Sequence, residues 1–560
     1  MKSFKTKTIF SKSVLITATI ALLFSCSDTL EVSPETTWAV EDFYSDESEV
    51  NIALAGIYSS LRSNQTFGER ILIMESGTDE SYAFKAWRDY SPTSVYRHDE
   101  ATLEITNAWR TFYTGINNIN QFLKNIKSSS FEDTQSYNKY VGEARFLRGF
   151  FYLQLTSWWN EVPLRLTPAV NQESNHIAPS SLEDVYLQII EDLTFAVDAL
   201  PMANDADYVP GHANKMAAHA ILARTYLKAA GFPLRATEIN NLNPYEAAKE
   251  HCKAIIDSGV HSLNPSYKDL FLGYIKNTFD LNESIFEIVF VNGSDLGVSI
   301  AGSIGTRNGL FYKPNDRINK PNSDPEITPT PIVELMYEEG DARTSWNIPS
   351  ILGRQNGSGV NEVAGSLTWG YSIGKFRRWD MAVPGDIDAT NAADPSIIPL
   401  EPVTPLAINT TGINLPLVRY ADVLLMYAEA VNELSGPTSE AIAAVDLVRN
   451  RAGLDNLAIV KPDAIASNDA FFSEITDERL RELCFEGNRK FDLIRWGLLG
   501  DKILELEAAI KYHPDFNENL NAHKGFLRAP DNFDPVKHLS LPYPQQEVAI
   551  NNLLNQKSEW

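Results

Sequence analysis

The sequence predicts a mostly α-helical protein. About four tetratricopeptide-like helical pairs form a scaffold, and a large irregular insertion with short strands and loops is set into it. Three observations predict this. Helix–turn–helix patterns recur up to about residue 259 and resume after residue 416, and the first helix of each pair mixes small residues with aromatics. The stretch between, 260–415, is rich in Gly, Pro, Asn and Asp and loses the helical period. The 560 residues are 44% hydrophobic and 11% aromatic, enough to bury a large core and too apolar for a disordered chain.

At the N-terminus, Lys2, Lys5, Lys7 and Lys12 surround the start of an apolar run over 14–24, and no acidic residue precedes Asp28. The run is too short to cross a bilayer and suits the core of a signal peptide. It ends in Leu23-Phe24-Ser25-Cys26, which is similar to a bacterial lipobox. The expectation is a signal peptide over 1–25, lipidation of Cys26 and a lipidated tether over 26–48, since several acyl chains anchor a protein stably. Residues 49–560 read as one domain. Within it 49–259 and 416–500 are mainly helical repeats, 260–415 is the irregular insertion and 501–560 is a C-terminal extension.

Each helix has a local reason. The first members at 143–153, 217–227 and 420–430 carry Ala and Gly where helices must approach and aromatics that fill the gaps. Their partners at 182–200, 245–258 and 439–452 are closed by Pro201, Gly259 and Gly453, ordinary stop residues. An earlier helix over 105–126 presents Trp109, Phe112 and Tyr113 on one face and pairs with the helix around Tyr140. Cys252 and Cys484 fall in helical patterns and read as small buried hydrophobes. No Cys/His set has zinc spacing.

Lys and Arg number 48 against 73 Asp and Glu, a net charge of −25. A nucleic-acid partner, which needs a basic footprint, is excluded, and neutral ligands are favoured. The chain has no Gly-rich Lys phosphate loop, no Gly-x-Ser-x-Gly elbow and no His-Glu-x-x-His. It reads as non-catalytic, with no cofactor and no metal. The segment 386–391 has Asp386, Asp388 and Asn391 but lacks the Gly and the closing Glu of a calcium loop, so it reads as a solvated acidic loop.

Motifs spread along the chain now carry a resemblance. They are CSDTL at 26–30 with Pro34, EARFLR at 143–148, WWNEVPL at 158–164, LVRYADVLL at 417–425, RNRAGL at 449–454 and ERLRELCFEGNRKFDLIRWG at 478–497. LSLPYP at 539–544 follows, with Asn551, Asn552 and Gln556. In this order they resemble the SusD/RagB family of outer-membrane nutrient-binding lipoproteins of Bacteroidetes. The resemblance implies a cell-surface protein, lipid-anchored in the outer membrane. Such a protein captures an oligosaccharide or polysaccharide and passes it to a SusC-like TonB-dependent barrel, without chemistry of its own. It also implies that an early loop and the insertion together form the glycan face. A tetratricopeptide scaffold for a protein partner, a peptide-binding RagB-like uptake protein and a glycoside hydrolase are the alternatives.

Sugar rings stack their C–H faces on Trp and Tyr, while their hydroxyls need Asp, Asn or Arg. The segment 79–90 interleaves aromatics with charges of both signs and has no clean helical stripe. The expected ligand residues are therefore Asp79, Tyr82, Trp87, Arg88 and Tyr90, with Trp346, Trp369 and Tyr371 opposite. Phe311, Tyr312 and Trp379 share the loop-like surroundings of the insertion. Trp158 and Trp159 read as core. In 478–495, Glu482 with Arg479, and Glu486 with Arg489 and Lys490, have the spacing of ion pairs along a helix surface or partly buried.

Overall fold

The computed structural model describes residues 43–83, 91–292, 300–314, 321–353, 360–362, 372–381, 397–401, 409–514 and 516–560. Its first six long helices are α1 (Glu47–Ser59), α2 (Leu103–Asn125), α3 (Thr134–Trp159), α4 (Leu182–Ala199), α5 (Lys215–Ala230) and α6 (Pro244–Ser258). Five of them start on a side-chain oxygen that takes up a free backbone N–H. Asp46, Asp133, Ser181, Asn214 and Asn243 serve α1, α3, α4, α5 and α6. Pro244 opens α6 and Gly259 closes it in the left-handed region.

Further along come α7 (Tyr267–Lys276), α8 (Tyr420–Ser435), α9 (Ser439–Arg451), α10 (Asn468–Leu483), α11 (Arg489–Trp496), α12 (Leu499–Lys511) and α13 (Asn521–Asn532). Consecutive helices pack side by side: α2 on α3, α3 on α4, α4 on α5 and α5 on α6. The next layer after α6 is α8, and α8 in turn holds α9 and α10. The stack thus continues across the insertion as though the intervening chain were absent.

The first helix of each pair is buried on nearly every side. In α3 every residue from Gly142 to Trp159 except Arg145 is buried, and α8 is buried from Tyr420 to Asn432. A helix apolar all round belongs inside a larger core. Small residues set the spacing: a Cβ on Gly142 would lie 2.9 Å from the Ala199 Cβ on α4. Trp159 is fully buried with its indole N–H on the Pro542 carbonyl at 2.9 Å, and Trp158 meets Phe491 edge to face, so both are core. Cys252 and Cys484 are buried free thiols.

The insertion leaves and returns through one antiparallel ladder, Ser284–Ile288 against Leu415–Arg419, with Leu415 opposite Ile288 and Arg419 opposite Ser284. These two strands form a neck. Beyond it the insertion has a core of its own, in which Leu310, Tyr312, Trp379 and Ile397 are buried together. Two short ladders, Ile351–Gly353 with Val360–Glu362 and Trp379–Met381 with Ile397–Pro399, frame that core. Among the described residues no helix is long and apolar enough to cross a membrane.

Candidate functional site: the early loop and the insertion

The two segments expected to share a face are joined by backbone. Ser81–Ala83 pairs antiparallel with Ile327–Pro329, placing Ser81 opposite Pro329 and Ala83 opposite Ile327. Thr330 adds two bonds: its N–H donates to the Glu80 carbonyl at 3.0 Å and its hydroxyl to the Asp79 carbonyl. On the near side, Gly77 N–H donates to the Ser81 carbonyl at 2.7 Å. The strand Ser81–Ala83 therefore rests on a base that the insertion itself supplies.

That base is fixed from below by the turn between α10 and α11. Arg489 grips Asp79 with two parallel bonds, Nε to Oδ1 at 3.0 Å and Nη2 to Oδ2 at 2.6 Å. Bidentate guanidinium–carboxylate pairs of this kind hold orientation as well as charge. Phe485 N–H donates to Glu80 Oε1 at 2.8 Å, and Lys490 Nζ donates to the Met74 carbonyl at 2.7 Å. The turn passes through the left-handed region at Phe485 and Gly487. A Cβ on Gly487 would come within 2.4 Å of Glu75 Oε2, so the close approach needs glycine.

Burial controls the protons here. It pushes Glu80 up to about 8, against the opposing pull of the Phe485 N–H and Arg489. Glu75 is likewise raised well above the usual carboxylate range by burial and by the neighbouring Glu80, while burial lowers Lys490 to about 7. Glu482 behaves in the opposite way. Burial would raise it, but Arg451, Arg419 and Arg343 hold it well below the usual carboxylate range.

Those arginines fasten the insertion to the stack. Arg343 of the insertion bonds Asp341 at 2.7 Å, Glu478 at 2.6 Å and Glu482 at 3.1 Å. Lys375 of the insertion reaches Glu486 at 2.7 Å. Arg419, at the end of the neck, bonds Glu283 at 2.7 Å, Glu482 at 2.9 Å and Glu486 at 2.8 Å. Ion pairs at helical spacing do form along 478–495, Glu478 with Arg481 at 2.8 Å and Asp492 with Arg495 at 2.9 Å, but not those of Glu482 with Arg479 or of Glu486 with Arg489 and Lys490. Glu482 and Glu486 face the insertion and the neck, while Arg479 bonds Asp422 and Asp492, both at 2.8 Å. For Glu486 the reason is the helix break at Cys484, which turns residues 484–488 out of helical register; Glu482, within α10, is taken instead by Arg343, Arg419 and Arg451.

Three expected ligand residues lie in the interior, which corrects their reading as a ligand-facing set. Asp79 is 1% exposed and engaged by Arg489. Tyr82 is 3% exposed, its ring 3.9 Å from that of Phe526. Trp346 is 4% exposed under the Arg377 guanidinium, 4.1 Å away. Tyr312 and Trp379 belong to the insertion core. Trp87, Arg88, Tyr90, Trp369, Tyr371, the 386–391 loop and Cys26 fall outside the described residues.

One aromatic left out of the expected set has a better position. Phe311 is half-buried, accepts from Gly353 N–H at 2.8 Å and donates its own N–H to Ser372 Oγ at 3.3 Å. It therefore stands where the backbone of Gly353 and the side chain of Ser372 converge. Nearby, Lys313 pairs with Asp324 at 2.6 Å and Arg307 with Glu326 at 3.1 Å. Among the described residues no group of three or more His, Cys, Asp or Glu side chains is placed to hold a metal ion.

Comparison with known proteins places this architecture. The family model described as "SusD family" matches residues 401–560, and one described as "Starch-binding associating with outer membrane" matches residues 28–227. SusD-like protein P25 of Formosa agariphila is 25% identical over 559 residues, covering 95% of this chain and 95% of its own. The crystal structure of a SusD homologue from Bacteroides thetaiotaomicron VPI-5482 superposes with a TM-score of 0.77 at 25% identity, over 93% of this chain and 98% of that one. A structure titled "Laminarin binding SusD-like protein" gives a TM-score of 0.67 at 22% identity, over 92% and 100% of the two chains. The two model matches do not overlap and together span more than half of the sequence, and the chain belongs to the SusD family.

Proposed function

We propose that this protein is a non-catalytic glycan-binding lipoprotein of the outer-membrane surface, which captures oligosaccharide and delivers it to a SusC-like TonB-dependent barrel. The observation that carries the reading is the ladder between Ser81–Ala83 and Ile327–Pro329, which joins the early segment to the insertion by backbone. The name of the laminarin-binding relative and the starch-binding description of the matched model support a glycan as ligand. Trp87, Tyr90, Trp369 and Tyr371, together with Phe311, supply flat rings for sugar C–H faces, and Arg88 supplies hydroxyl contacts. Asp79 and Tyr82 hold the base of the loop, and Trp346 supports the insertion behind it.

Calorimetry of the full chain against plant, microbial and host glycans tests this. Trp87→Ala and Trp369→Ala are each expected to weaken the best ligand at least tenfold. Unchanged affinity in both removes the assigned face. The anchor is tested separately: Cys26→Ala is expected to move the protein from the outer-membrane fraction to the soluble one, and retention in the membrane refutes lipidation at Cys26.

A further inference from the structure

A second recessed surface lies on the helical stack, and none of its lining comes from the insertion. It is a groove of about 350 Å³ between α2, the loop after α3 and the C-terminal helix Gln545–Ile550. Along α2 the groove is lined by the half-buried Tyr113 and Asn117 and the exposed Thr114, with Trp109, 3% exposed, packed behind them. The facing loop contributes Arg165, and the C-terminal helix contributes Glu547.

The wall is built and held. Tyr113 hydroxyl donates to the Pro163 carbonyl at 2.8 Å, and its ring lies 4.8 Å from that of Trp109. Asn117 Oδ1 accepts from Ala169 N–H at 2.9 Å, so the group it offers a ligand is a donor. Arg165 Nη2 bonds Asn175 Oδ1 at 3.0 Å, and Arg110 bonds Gln546 Oε1 at 2.9 Å. Glu547 takes a hydrogen bond from Trp109 and faces Arg110. Charges of both signs thus have partners within the lining, and the chain as a whole carries −25. Little attracts an anion. What remains is the half-buried Tyr113 ring, backed by Trp109, beside amide, hydroxyl and guanidinium groups of both hydrogen-bonding senses, the combination that suits a neutral polyhydroxyl chain with apolar C–H faces.

We propose that this groove is a second carbohydrate-binding site, for a neutral glycan segment, borne by the helical scaffold and separate from the insertion face. The proposal rests on the glycan-binding reading above and deepens it. A polysaccharide long enough to reach both sites gains retention from the linked second contact, whereas a short oligosaccharide occupies them one at a time.

The test is calorimetry of the full chain with laminarihexaose and with maltohexaose. Two sites per chain are expected. Thr114→Arg, a change at an exposed position that fills the groove, is expected to remove one site and leave the other affinity within twofold. Trp87→Ala is expected to remove the other. Arg165→Ala serves as the second groove variant if circular dichroism shows Thr114→Arg misfolded, with at least a tenfold loss expected at one site only. A single site that Trp87→Ala abolishes and both groove variants leave intact overturns the groove while the insertion face stands. A single site with the opposite response supports the groove and overturns the face. No binding of either hexasaccharide, or of any member of the wider glycan panel, overturns both.

Discussion

Arg419 shows how one side chain joins three parts of the molecule. It is fully buried, ends the neck and bonds Glu283, Glu482 and Glu486. Removing one partner of a buried ionic cluster leaves the rest uncompensated. Arg419→Met is therefore expected to cost about 3–5 kcal/mol, read as a lower urea midpoint. Glu80 gives a pH-dependent counterpart. Its folded pKa of about 8 lies above the ordinary 4.5, so the folded state holds the extra proton between those values. Its contribution to stability falls as pH rises through that window and is flat above it. Glu80→Gln keeps the acceptor for Phe485 N–H. Its Tm relative to the parent is expected to rise between pH 5 and pH 8.5, by the equivalent of a few kcal/mol at order-of-magnitude level. A constant Tm difference across that range refutes the assignment. Neither residue was legible locally. Asp79 looks like a ligand-facing acid in an aromatic-rich stretch, and only the fold brings Arg489 to it, and Phe485 to Glu80, from the far end of the sequence.

At the scale of the element, the helices were the readable part. The periods and stop residues predicted 182–200, 245–258 and 439–452, and the structure has Leu182–Ala199, Pro244–Ser258 and Ser439–Arg451. Their boundaries follow from capping and from Pro or Gly, which are local rules. The break at Cys484 was not readable in the same way, because Arg and Glu at helical spacing run straight through it. Its signals are Gly487 at φ +84° and a non-glycine residue, Phe485, at φ +66°, conditions that depend on what packs against the turn. The close crossing of α3 on α4 makes a direct test. Gly142→Val is expected to destabilise the protein by roughly 1–3 kcal/mol, because the added carbons meet Ala199 and Leu200 with no room to move. Chemical denaturation measures it.

Across the whole molecule, the ionic lock makes the insertion and the stack one cooperative body. Calorimetry of the parent is expected to show one unfolding transition. Arg343→Met is expected to release the insertion first, with early proteolytic cleavage between residues 300 and 400 while the helical signal persists. Simultaneous loss of both would refute a distinct role for the lock. The general division into periodic scaffold and irregular insertion was legible because it rests on composition and period. The arrangement of the ligand face was not, since it depends on which rings the insertion keeps for its own core, as it does Tyr312 and Trp379.

The neck has a consequence for how such proteins diversify. Because Ile288 and Leu415 stand opposite each other, everything between them is a cassette whose two ends meet at one ladder, and because Ile304, Trp346, Phe376 and Ile413 enter the main core, a graft has to match that packing. The cassette is also keyed: Arg343 and Lys375 travel inside it together with Asp341, while Glu478 and Glu486 stay behind on the recipient. A transplanted cassette that brings its own pair of buried cations is expected to keep the recipient folded, and one that lacks them leaves Glu478 and Glu486 with only the cations of the stack, Arg481 and Arg419 among them.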